Sequence, residues 1–137
     1  MKKLTITLVT LLVILNCGGS NKTKYPFEYQ MSQTELANEN KLEIFTYDGQ
    51  IDKFIIIQFC KEKKAEWKLA GFYSIVIFDK TQFAEKTTSP ISAAYGNQEN
   101  AMKHIRAVYT RTGFNDYSKL NIYDPNMWEG KNESIDI

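Results

Sequence analysis

Any chemistry in this chain has to be built from few groups. Its 137 residues include one histidine, His104, and two cysteines, Cys17 and Cys60. One histidine cannot supply the His₂ or His₃ shells of familiar zinc sites. A serine–histidine–aspartate arrangement would have to pair His104 with Ser74, Ser89, Ser92 or Ser118, and no spacing singles one out. Two carboxylates can cleave a glycoside without histidine. Asp79, Glu85, Asp116 and Asp124 fall near strand ends or in loops, where turn and capping roles explain Asp79 and Asp124 equally well. There is no phosphate loop, no dinucleotide fingerprint and no nucleophile elbow. The expectation is no metal, no cofactor, and binding in preference to catalysis.

Two loops offer side chains suited to recognition. Arg111, Phe114 and Asn115 belong to one turn-rich stretch, and Tyr123 and Trp128 to a second that holds Asp124, Pro125 and Asn126. Aromatic, arginine and asparagine side chains on loops over a rigid scaffold are common binding surfaces. Phe114, Tyr117 and Trp128 also suit ordinary packing.

The elements that would position these residues follow from periodicity and turn chemistry. Ser32 and Glu35 stand at capping-box spacing, which predicts a short helix over 32–38. Residues 41–47 alternate as a strand, with Leu42 and Ile44 opposite Glu43, Phe45 and Tyr47. The run 51–64 is rich in β-branched residues, which favours a strand. Ile51, Phe54, Ile55, Gln58 and Phe59 nevertheless fall at helical spacing, and Lys61, Lys63 and Lys64 suit a helix C-terminus. The spacing predicts a helix, with Asp48 as its cap. Residues 72–78 are apolar on both faces, as in a central strand. Residues 81–100 read as irregular, with a short strand over 91–95. Strands over 104–111 and 117–123 make a hairpin. The expected class is α+β: an antiparallel sheet of about four strands with one main helix on a face, in two layers.

The amino-terminal stretch carries a different kind of information. Met1, Lys2 and Lys3 precede a mostly apolar run over 4–15, and then come Asn16, Cys17, Gly18 and Gly19. A basic start, a short apolar run and small residues make an export signal. The run is shorter than the ~20 residues of a spanning helix. Ile14, Leu15, Asn16 and Cys17 resemble the lipobox of bacterial lipoproteins. Ile14 matches the aliphatic position, whereas Asn16 stands where Gly, Ala or Ser is commoner. The resemblance implies cleavage before Cys17 and a diacylglycerol, with palmitate-type chains, on its thiol. Two or three such chains make a stable membrane anchor where one is marginal. Cleavage after Gly19, giving a secreted protein, is the alternative.

The domain plan is then a signal peptide over 1–16, a lipidated cysteine and polar tether over 17–24, one globular domain over 25–128, and a polar tail over 129–137. All 8 Phe, 8 Tyr and 2 Trp lie between Tyr25 and Trp128, enough for a real core. Losing Lys2 and Lys3 leaves 15 basic against 16 acidic side chains. That balance gives no electrostatic reason to expect nucleic acid. Cys60 sits in an apolar run and reads as a small buried hydrophobe. The sequence therefore points to a membrane-anchored lipoprotein of the cell envelope, acting as a binding or interaction module for an envelope protein or ligand. A small carboxylate hydrolase and a protective inhibitor or immunity-type lipoprotein are the alternatives.

Overall fold

The computed structural model describes residues 24–137, so Cys17 and the leader lie outside the described residues. Its elements in order are β1 (Glu28–Glu35), β2 (Asn40–Thr46), α1 (Lys53–Glu66), β3 (Phe72–Phe78), α2 (Glu99–Met102), β4 (Ile105–Thr112), β5 (Ser118–Asp124) and β6 (Lys131–Asp136). The class is α+β, with one sheet of six strands in the order β1-β2-β3-β4-β5-β6. Neighbours run antiparallel except β2 and β3, which are parallel and joined through α1. A parallel pair needs a crossover of this kind, because a tight hairpin cannot join it.

Four strands were expected and six are present, because two strands lie where the sequence looks least strand-like. The segment over 32–38, expected as a helix, is largely β1, followed by a 3₁₀ turn at Leu36–Asn38. Its few apolar residues cannot build a helical stripe, whereas β2 offers it a ladder from Glu28↔Thr46 to Glu35↔Asn40. The segment expected as a polar tail contains β6, where Ile135 stands opposite Leu120. Polar side chains are what an edge strand carries to discourage further pairing, so its composition conceals it.

The helix over 51–64 is present as α1. Asp52 caps it in place of Asp48: its Oδ1 accepts from the Phe54 N–H at 2.6 Å. The buried stripe is Ile56, Phe59 and Cys60, one step round from the one expected, and Phe54 faces solvent. These residues pack with Phe27, Phe45, Tyr73, Ile75, Ile77 and Tyr109 on one face of the sheet. At the C-terminal end, the Arg111 guanidinium donates to the Lys64 carbonyl at 2.9 Å and to the Trp67 carbonyl at 3.3 Å. Such carbonyls have no partner within the helix.

The opposite face is covered as well, so the molecule has three layers and not two. Leu42, Ile44, Val76, Phe78, Ile105 and Val108 pack beneath the largely irregular chain between β3 and β4. The strand expected over 91–95 is instead a 3₁₀ turn, Pro90–Ser92, followed by further turns. Buried Ala93 and Ala94 let this backbone lie close to the sheet. Gly71 is a second close approach: a Cβ there would collide with the backbone carbonyl oxygens of Asn38 and Glu39.

Phe59 touches Phe27 and Phe45 at ring-centroid separations of 4.5 and 4.9 Å. Phe59→Ala is expected to lower unfolding free energy by about 3–5 kcal/mol, the range for a large buried aromatic. Urea denaturation measures it, and a loss below about 1 kcal/mol would contradict the role given to α1.

Candidate functional site

Two concave regions and one buried polar cluster carry the chemically versatile side chains. The first is a groove of about 280 Å³ on the face opposite α1. Its floor is Phe72 on β3, Val108, Thr110 and Thr112 on β4, and Asn121 on β5. One wall is the segment bearing Ile91, Ala93 and Tyr95, and the other is the β4–β5 turn with Asn115 and Tyr117. Ile91, Tyr95 and Tyr117 are 50%, 67% and 43% exposed. Phe114, 64% exposed, meets Phe72 edge to face at 5.7 Å. Four large apolar side chains are thus held in water around one depression, and a cluster of that kind marks an interaction site where scattered ones would not.

The polar groups of this groove are oriented by their neighbours. Asn115 Oδ1 accepts from the Tyr117 N–H at 3.2 Å and from the Thr112 hydroxyl. A backbone N–H only donates, so the carboxamide oxygen has to face it. Asn115 Nδ2 is left without a partner among the described residues. Asn121 Oδ1 accepts from Ser134 Oγ at 2.7 Å and Asn132 Nδ2 at 3.3 Å, which leaves its own Nδ2 likewise without one. The Thr110 and Ser74 hydroxyls share a hydrogen bond at 3.2 Å in the floor.

The second concavity is a wider cleft of about 650 Å³. It lies where β2 and β3 end, α1 begins and β5 turns into β6, and it is lined by Tyr47, Asp79, Arg106, Asp124, Lys131 and Glu133 among others. Asp79 is fully engaged: Oδ2 accepts from Arg106 Nε at 2.7 Å, and Oδ1 lies 2.7 Å from His104 Nδ1. The His104 ring stacks on Phe83 at 3.8 Å. Glu133 pairs with Lys53 at 2.9 Å across the mouth. An Asp124–Pro125 cis peptide lies on the rim.

The polar cluster lies beneath the end of α1. Buried Glu43 accepts from the Tyr73 hydroxyl and pairs with Lys41 at 2.7 Å. Trp67 stacks on the Tyr73 ring at 4.8 Å. Burial, and then the Glu43 carboxylate, pushes the Tyr73 hydroxyl far above the ordinary tyrosine range. Burial raises Tyr47, Tyr109 and Tyr123 as well.

The five residues expected to bind do not form one surface. Asn115 lines the groove and Phe114 stands beside it. Tyr123 is a core residue beneath the irregular cover and lines the second cleft, not the groove. Arg111 lies on the α1 face of the sheet and holds the helix end. Trp128 is exposed on a separate turn, where Asn126 Oδ1 accepts from the N–H groups of Trp128 and Glu129, each at 2.9 Å. Sequence reasoning missed Phe72, Ile91, Tyr95 and Asn121. The one available signal was Tyr95 ahead of Gly96-Asn97, an aromatic at a turn.

Among the described residues no cluster of His, Cys, Asp and Glu is suited to a metal ion, and no helix is long and apolar enough to cross a membrane. Comparison with known proteins yields no match to a family model, a curated protein or a solved structure.

The buried tyrosines set an alkaline limit. Their pKa values in the fold lie above the unfolded value of about 10, so their contribution is complete below that pH and lost as pH rises through and beyond it. The denaturation midpoint is expected to fall from roughly pH 10 upward, and Tyr73→Phe to flatten that fall. An unchanged midpoint up to roughly pH 11 would contradict the assignment.

Proposed function

We propose that this chain is a lipid-anchored lipoprotein of the bacterial cell envelope, working as a binding module whose ligand site is the aromatic groove. The groove carries the binding half of this reading, through four exposed apolar side chains grouped around two carboxamide donors. The anchoring half rests on the basic, apolar leader and on Cys17 in its lipobox-like setting. A polar tether would then hold the domain close to the lipid surface.

A carboxylate hydrolase is the second reading, favoured by Asp79, Asp124 and Glu133 lining one cleft. Two of the three are already committed to ion pairs. Asp124 alone is left for proton transfer, where such hydrolysis uses a pair. Binding is therefore the conclusion.

Labelling with radioactive palmitate tests the anchor: wild type is expected to carry the label and sediment with membranes, and Cys17→Ala to do neither. Pull-down from detergent-solubilised envelope tests the site. A component retained by wild type and lost from the Tyr95→Ala/Tyr117→Ala double variant supports the groove, and equal retention refutes it.

A further inference from the structure

The lining of the groove restricts what it can hold. None of its ten lining residues is charged, so the site gives an ionic ligand no counter-charge. The two carboxamides offer Nδ2 donors free of protein partners among the described residues, which suit a ligand that carries acceptor oxygens. Tyr95 and Tyr117 add ring faces and hydroxyls, apolar at one end and wet at the other.

The floor excludes one common mode of recognition. Extended peptides are usually bound by main-chain hydrogen bonds along an open sheet edge. Here the floor strands β3, β4 and β5 are all interior, and the edges are β1 and β6. The main chain of the floor is spent in ladders, so recognition from the sheet falls to side chains. About 280 Å³ is also small, near the roughly 300 Å³ lower end of ligand pockets, which suits one ring more than a long segment.

We propose that the groove binds one ring of a neutral saccharide, with Tyr95 and Tyr117 making C–H contacts to it from the two walls and Asn115 Nδ2 and Asn121 Nδ2 donating to its oxygens. A pyranose combines the required features: no charge, an apolar face and a rim of hydroxyl and ether acceptors. An N-acetyl group adds a carbonyl acceptor and a methyl, which suits the same donors and the Ile91 side chain. This rests on the groove being the ligand site.

The test is calorimetric titration of the full chain, in a detergent without a sugar headgroup, with chitotriose, cellotriose and maltotriose. An uncharged extended hexapeptide is titrated in parallel. At least one saccharide is expected to saturate the protein at roughly millimolar affinity or better. Tyr95→Ala/Tyr117→Ala is expected to weaken it tenfold or more. Tyr95 is 67% exposed, so the single Tyr95→Ala variant serves if the double one unfolds. No titration by any of the three saccharides overturns the proposal, as does binding that both variants leave unchanged. Peptide binding that the variants abolish, without saccharide binding, overturns the saccharide while leaving the groove as the site. If the variants also leave envelope retention unchanged, the groove reading fails with it.

Discussion

The structure depends on a sheet that is apolar on both faces. Ile75 and Ile77 point to one side of β3, Val76 and Phe78 to the other, and all four are essentially out of solvent. A single layer cannot satisfy such a strand. The parallel crossover supplies α1 on one face, and the long segment between β3 and β4 supplies the other cover. Arg111 binds the end of the helix to the sheet from below, and buried Ala93 and Ala94 let the irregular segment sit down on it.

The groove is a consequence of how far that second cover reaches. Over Val76, Phe78 and Ile105 the irregular segment closes the face. Towards Phe72, Thr112 and Asn121 the face meets a groove between this segment and the β4–β5 turn. The floor changes character at that point, from aliphatic to hydroxyl and amide. Tyr73 and Glu43, by contrast, place their polarity beneath α1, where it is paired internally. The two faces thus differ in what they leave for another molecule: on the helix side the Tyr73, Glu43 and Lys41 polar groups bond to one another, whereas the groove carries two carboxamide donors free of protein partners among the described residues.

The legible parts of the fold were those with strong local signals. β3 announced itself through a run of seven apolar or small residues, and α1 through helical spacing that prevailed over its β-branched content. β1 and β6 were hidden because edge strands are specified by the neighbour they pair with, and their own residues are polar. The same blindness affected the site. Asn115 and Phe114 stood in an evident turn, whereas Phe72 reads as core and Asn121 as one polar residue in an alternating strand. Only the three-dimensional approach of the 90–96 segment puts Tyr95 beside them. Arg111 looked like a binding residue because its partners are backbone carbonyls some 45 positions away, which no local pattern encodes.

Sealing of the sheet from both sides is the claim on which the groove and its side-chain recognition rest, and native-state hydrogen exchange addresses it directly. Amides of Ile75, Val76, Ile77 and Val108 should exchange only through global unfolding, while those of the β4–β5 turn and the 84–98 segment exchange by local opening. Comparable rates for the β3 amides and that turn would mean that one cover is not in place, and the architecture described above would be wrong.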